Sequence, residues 1–173
     1  IAMRHPVAGS VAEFAAASRV PVINGGDGAN EHPTQALLDL YTIGKEVQHR
    51  GGSIDGLRIA MIGDLRYGRT VHSLSKLLAN FDRVHLTCIS PAELRMPGAI
   101  VEALRARGHT VVESDAMEQS IAHVDIAYST RIQEERFASR EEANLYRGRY
   151  PVTPEIYTQY CEPNTVIMHP LPR

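Results

Sequence analysis

The sequence predicts an α/β fold, a parallel sheet flanked by helices, preceded by the tail of an upstream unit. Three observations predict it. Short apolar runs alternate with stretches of helical period along most of the 173 residues. An apolar run, Ile59-Ala60-Met61-Ile62, leads through Gly63 into a helix with Val71, Leu74, Leu77, Leu78 and Phe81 on one face. Gly51-Gly52-Ser53 breaks the chain between an irregular first part and a regular second one.

Residues 1–4 read as the end of a strand. Residues 10–17 read as a short helix, with Ser10 as N-cap and Glu13 completing a capping box. Pro21-Val22-Ile23-Asn24 is a short strand and Gly25-Gly26-Asp27-Gly28 a flexible turn. A helix runs from Pro33 to Val47, with Pro33 suited to its first position. Beyond the glycine break the expected order is strand 58–63, helix 70–80, strand 83–89, helix 97–107, strand 109–113, a short helix over 115–122 and strand 124–129. Residues 131–146 are less regular. Thr153-Pro154-Glu155 opens a further short helix, and Thr165-Val166-Ile167-Met168 is the last strand. Such alternation implies right-handed crossovers and a parallel sheet of about four or five strands. It divides the chain into 1–47 and 48–173.

Composition excludes several function classes. Lys and Arg total 18 against 20 Asp and Glu, a net charge of −2, which argues against a general nucleic-acid binder. No apolar run approaches the roughly 20 residues needed to cross a bilayer. The two cysteines, Cys88 and Cys161, form no CxxC pair, and a reducing, cytoplasmic setting fits. The eight histidines form no HxxxH or HExxH, so no metal site is expected. Phosphate-loop, GxGxxG and GxSxG motifs are absent. The chain begins at Ile1 and stops after an apolar run, and both ends read as cut from something longer.

Open parallel sheets bind ligands beyond the carboxyl ends of their strands. One strand ends at Gly63 and leads to Arg66 and Arg69. A second ends in Ser129-Thr130-Arg131-Ile132-Gln133, and a third in His169-Pro170-Leu171-Pro172-Arg173. A helix start already carries partial positive charge, so arginines placed there point to a bound anion. The guanidinium fork matches a carboxylate with two parallel hydrogen bonds. Arg69 and Arg131 are thus candidates to grip the two carboxylates of a small dicarboxylic acid, and Arg66 is the better candidate for a solvated neighbour. The plainer alternative is that these arginines are exposed surface residues. Gln133, spaced from Thr130 as in a capping box, has a capping alternative of its own.

His32 precedes Pro33 as a helix N-cap, where the imidazolium is disfavoured. A neutral imidazole there can donate a hydrogen bond to a carbonyl oxygen and polarise it. The alternative is a histidine that only caps. Gln35, Asp39 and Thr42 form a polar stripe on the same helix. Arg4 adds a cation before the first helix.

The segments EHPTQALLDLYTI (31–43), GDLRYGRTVHSL (63–74), STRIQEERF (129–137) and HPLPR (169–173), in this order, resemble the aspartate carbamoyltransferase family. The resemblance covers essentially the whole chain. It implies the C-terminal part of a carbamoyl-phosphate domain with an inter-domain helix over 1–47, and a Rossmann-like aspartate-binding domain, lacking its C-terminal helix, over 48–173. HPTQ is shared across carbamoyltransferases. The HCLP segment of the ornithine branch is absent, and HPLPR stands instead. The resemblance implies that Arg4 and His32 act on carbamoyl phosphate, with His32 bonded to the carbamoyl oxygen and Gln35 holding the carbamoyl group. Arg69 and Arg131 would bind the aspartate carboxylates with Gln133 assisting, and Leu171 and Pro172 would line the site with backbone carbonyls. The implied reaction makes N-carbamoyl-L-aspartate and phosphate, an early step of pyrimidine synthesis, and needs no cofactor or metal. The implied assembly is a homotrimer with shared sites.

The family's STRTR phosphate-binding segment, and the serine- and lysine-bearing loop borrowed from a neighbouring subunit, lie outside this sequence. Little or no turnover is therefore expected of the 173 residues alone, and turnover near that of an intact enzyme would overturn that expectation. The rival expectations are a carbamoyltransferase with another amine acceptor such as ornithine, a non-catalytic carbamoyltransferase-like domain, and a plain nucleotide-binding domain. The missing phosphate loops disfavour the last, and Arg4, His32, Gln35, Arg69 and Arg131 present together disfavour the second.

Overall fold

The computed structural model describes residues 1–171. The first part is a small parallel β-α-β unit: β1 (Ala2–His5), α1 (Ser10–Ala17) and β2 (Ile23–Asp27). Helix α2 (Pro33–His49) leads out of it. The second part alternates strand and helix: β3 (Arg58–Ile62), α3 (Arg69–Leu78), β4 (His85–Ile89), α4 (Gly98–Ala106), β5 (Thr110–Ser114), α5 (Met117–Ser120) and β6 (Ile126–Ser129). A 3₁₀ turn at Glu134–Arg136, α6 (Arg140–Asn144), α7 (Pro154–Tyr160) and β7 (Val166–Met168) complete it.

All five strands of the larger sheet are parallel, in the order β5-β4-β3-β6-β7. The chain starts in the middle at β3, winds outward to β5, then returns to the other side at β6. The winding direction reverses between β3 and β6, and at such a point the strand-end loops splay apart and leave a crevice. The loops after β3 and β6 are those that carry Arg69 and Arg131.

A sheet covered on both faces needs apolar residues at successive positions. In β3, Ile59 and Met61 pack into one core with Ile43 and Val47 of α2 and Leu74 and Leu78 of α3. Ala60 and Ile62 face the other way, against Ile89, Ala127, Met117 and Ile121. Helix α2 therefore shares the core of the larger sheet although it leads out of the smaller one.

Two local expectations are corrected. Ser10 does not cap α1. Gly9 takes the N-cap position, no side chain caps the helix, and Ser10 is its first residue. Gly25, Gly26 and Asp27 are not a flexible turn but belong to β2. Gly26 has φ +121°, and a Cβ on it would lie 2.8 Å from a guanidinium nitrogen of Arg69. The glycine there permits close approach, a requirement that local sequence does not reveal.

Asp27, 1% exposed, ties this first part together. Its carboxylate accepts hydrogen bonds from the Gly9 N–H (2.9 Å), Asn24 (3.0 Å), Asn30 (3.0 Å) and the Glu31 N–H (3.1 Å). Burial pushes its pKa up, but these donors outweigh burial and hold it below the ordinary carboxylate value. An unfolded aspartate titrates near about 4, so below that pH the unfolded chain takes up a proton that the folded one resists. Stability should therefore fall as pH drops from about 4 towards the lower folded pKa. Denaturant unfolding across this range should show a shallower acid loss for Asp27→Asn. Parallel curves for the two proteins would refute the assignment.

Candidate active site

A cavity of about 380 Å³ opens at the reversal point, between the small β-α-β unit and the strand ends of the larger sheet. Arg4, His32, Gln35, Arg69, Arg131, Gln133 and Leu171 all line it. The sequence spreads these seven residues over most of its length, and the fold brings them to one wall-to-wall space. Pro172 and Arg173 lie outside the described residues. Arg66 does not line the cavity: it is exposed, donates to the Glu93 carbonyl at 3.3 Å and stacks over the Tyr67 ring. Its side chain belongs to the outer surface, as expected of a solvated neighbour.

His32 is the N-cap of α2, with Pro33 as the first helical residue. Its Nδ1 accepts from the Gln35 N–H at 3.4 Å, and the Thr34 hydroxyl lies 3.3 Å from the same nitrogen. Burial lowers its pKa, and the positive charges of Arg69 and Arg4 lower it further. The ring is therefore neutral near pH 7. A lone pair on Nδ1 leaves the proton on Nε2, which makes Nε2–H the donor available to a ligand. Capping and cavity-lining are both properties of this residue, and the cap sets the tautomer. The loop before His32 is held down on α3: Ser73 Oγ accepts from the His32 N–H at 2.9 Å, and the Glu31 carboxylate bonds Ser73 and Lys76.

Among the described residues, four arginines line the cavity (Arg4, Arg69, Arg131 and Arg136) against one acidic residue, Glu135. Arg69 opens α3, and among the described residues its guanidinium keeps one long bond, to the Gly28 carbonyl at 3.3 Å. Burial draws its pKa below the usual guanidinium value, and Arg4 and Arg136 draw it lower still. Crowded cations in a half-buried space are unfavourable until an anion enters, so the cavity is built for a negatively charged ligand.

Arg131 reaches the cavity with its fork engaged. Glu135 accepts two bonds from it, at 3.0 and 2.6 Å. That pair holds the guanidinium above its usual pKa and the Glu135 carboxyl below its own. The two arginines thus differ: Arg69 is the more open carboxylate receiver, and Arg131 carries a carboxylate already.

Asp64, fully buried, joins the two loops. Its Oδ1 accepts from the Tyr67 N–H at 2.9 Å and its Oδ2 from the Gln133 N–H at 3.1 Å. Burial raises its pKa despite these bonds. Gly63 lets the loops meet: its φ is +113°, and a Cβ there would sit 2.5 Å from the Thr130 carbonyl oxygen. The capping-box alternative for Gln133 falls here. Thr130 donates its hydroxyl to the Ile62 carbonyl at 3.1 Å, and no side chain caps the 3₁₀ turn after Gln133. Leu171 has φ 48° and an exposed side chain, with its N–H bonded to His169 Nδ1 at 2.9 Å. A non-glycine residue is uncommon in that region of backbone space.

Tyr67, Glu135, Arg136 and Asp64 escaped sequence reasoning. Two had usable signals. Glu135 stands four residues after Arg131, and Asp64 directly follows a strand-ending glycine, where an aspartate commonly accepts from the backbone a few residues on. Thr42 of the polar stripe is exposed and bonds its own helix, at the Leu38 carbonyl.

Comparison with known proteins places the chain in a family. Residues 1–45 match the family model described as aspartate/ornithine carbamoyltransferase, carbamoyl-P binding domain. Residues 55–173 match that of the Asp/Orn binding domain. The aspartate carbamoyltransferase catalytic subunit of Cellvibrio japonicus is 70% identical over all 173 residues, which span 51% of that protein. The catalytic subunit of M. jannaschii aspartate transcarbamoylase superposes with a TM-score of 0.83 at 44% identity, over 100% of this chain and 54% of that one. Trypanosoma cruzi aspartate transcarbamoylase in complex with carbamoyl phosphate and aspartate superposes with a TM-score of 0.86 at 37% identity, over 99% and 55%. The chain thus spans about half the length of the relatives it matches, and with both family models matched in order it belongs to the aspartate/ornithine carbamoyltransferases.

Proposed function

We propose that this chain supplies the aspartate half and part of the carbamoyl half of an aspartate carbamoyltransferase site. The observation that carries the reading is the cavity lined by Arg4, Arg69, Arg131 and Arg136 and a neutral His32. A dicarboxylate acceptor meets two guanidinium groups from separate loops, Arg69 and Arg131, with Gln133 beside the second. Arg4, His32 and Gln35 face the carbamoyl donor, and the Leu171 backbone completes the wall, with Pro172 beside it in sequence. In the reaction the aspartate amine attacks the carbamoyl carbon. The new C–N bond forms, the bond from carbon to the phosphate oxygen breaks, and the amine's proton passes to the departing phosphate. His32 Nε2–H stabilises the charge that gathers on the carbamoyl oxygen, and the arginines hold the acceptor in line. Residues 1–47 would belong to the carbamoyl-phosphate domain and 48–173 to the aspartate domain. A homotrimer and a cytoplasmic setting go with the family. Among the described residues no helix is long and apolar enough to cross a membrane.

The ornithine reading is disfavoured by charge. Ornithine offers one carboxylate in place of two, and its amine that does not react stays cationic in a space already crowded by Arg4, Arg69 and Arg136. The test grafts residues 1–173 into the full-length Cellvibrio japonicus catalytic subunit in place of the matching half. Mass spectrometry should detect N-carbamoyl-aspartate with aspartate as acceptor, and at least about a hundredfold less citrulline with ornithine, since a desolvated like-charge contact costs several kcal/mol. Comparable citrulline formation would refute the aspartate assignment.

A further inference from the structure

We propose that Asp39 is a positioning residue that fixes the amide of Gln35, with Tyr128 holding Asp39 from the other side. The inference rests on the proposed role of Gln35 towards a carbamoyl group and adds a reason for its orientation.

Gln35 and Asp39 lie one turn apart on α2, and Asp39 is only 4% exposed. Gln35 Nε2 donates to Asp39 Oδ1 at 2.9 Å. The Tyr128 hydroxyl donates to Asp39 Oδ2 at 2.6 Å. Tyr128 is fully buried in β6, three residues before Arg131. A carboxylate only accepts, so an amide packed against it must turn its NH₂ towards it. The carbonyl oxygen of Gln35 is then the end left for a ligand. An amide with its carbonyl presented accepts from an NH₂ group, the group that distinguishes a carbamoyl from an acetyl donor. The opposite flip would present a donor and reject it.

The carboxylate is costly where it stands. Burial raises the Asp39 pKa in spite of both hydrogen bonds, and a shape-matched apolar residue would pack there without that penalty. A role in orientation accounts for it. The link also runs between the two parts of the chain, from the helix bearing His32 and Gln35 to the strand whose following loop carries Arg131.

The experiment uses the full-length graft described above. Asp39→Leu combined with Tyr128→Phe removes both polar partners together, an exchange expected to keep stability near the parent's. This variant should raise the carbamoyl phosphate KM or lower kcat by about tenfold, the worth of one charge-assisted hydrogen bond, with the aspartate KM within about twofold. Added to Gln35→Ala it should cause no further loss, because both changes remove one effect. Losses that multiply, or parent kinetics in a folded Asp39→Leu/Tyr128→Phe variant, overturn the inference. If that variant does not fold, Asp39→Asn enters the same cycle under the same criterion. Side-chain amide NMR on the unliganded protein gives an arm independent of the reaction. Protection of the Gln35 NH₂ from solvent exchange, lost in the variant, supports the orientation, and equal exchange overturns it. Parent kinetics for Gln35→Ala alone overturn the proposed role of Gln35, and the inference with it, while the NMR arm still reports whether Asp39 fixes the amide.

Discussion

Arg69→Ala should raise the aspartate KM by about a hundredfold in the full-length graft, with a much smaller change in the carbamoyl phosphate KM. The magnitude follows from the loss of a two-pronged, charge-assisted contact, about 3 kcal/mol. Arg69 is the most exposed to this loss because its guanidinium makes one long internal bond and faces the cavity, whereas Arg131 is already paired with Glu135. Arg69→Lys should recover part of the affinity only, since an ammonium cannot match a carboxylate with a planar fork. Arg66→Ala is the internal control. It alters an exposed side chain three residues away, outside the cavity, and should change KM by less than about twofold. Thermal unfolding separates ligand binding from folding. Arg69→Ala relieves crowding with Arg4 and Arg136, so its melting temperature should not fall. A normal aspartate KM in Arg69→Ala would remove the residue from the acceptor site.

Asp64→Ala should lower stability and weaken aspartate binding together. Two half-buried backbone N–H groups, of Tyr67 and Gln133, would lose their acceptor, each at up to about 1–3 kcal/mol. The loops bearing Arg69 and Arg131 would then no longer be pinned to each other. The expected signature is a drop of several degrees in melting temperature with a tenfold or larger rise in aspartate KM, an order of magnitude set by misplacing one charged contact. Hydrogen exchange should locate the loosening at Tyr67 and Gln133. Reduced stability with parent kinetics would leave Asp64 a role in folding alone.

The strand–turn–helix at 58–78 was legible because its signals are local. Four apolar residues in a row require burial on both faces, a glycine permits the turn, and a 3.6-residue period follows. The irregularity of 131–146 was legible for the same reason, and it resolves into a 3₁₀ turn and one short helix. The cap of α1 was misread because Ser10 and Gly9 compete for one position, and Asp27, acting from 18 residues away, accepts from the Gly9 N–H. The strand character of Gly25–Asp27 was hidden because the reason for Gly26 is the Arg69 guanidinium, far along the chain. The polar stripe on α2 was visible, but its meaning was not. Asp39 finds Tyr128 89 residues on, and Thr42 turns back to the Leu38 carbonyl of its own helix and stays exposed.

Sequence alone therefore determined the inventory: parallel α/β architecture, arginines at strand ends, and a histidine at a helix start biased towards the neutral form. Residue types and short-range spacing carry that information, since periodicity, turns and caps act within a few residues. Tertiary structure alone decided which of these groups meet. The reversal of winding between β3 and β6 sets the Gly63 and Thr130 loops side by side. Asp64 then joins them, Glu135 engages Arg131, and Arg69 is left open to the cavity. Strand order is settled by the packing of the whole sheet against its helices, and that depends on contacts between residues tens of positions apart.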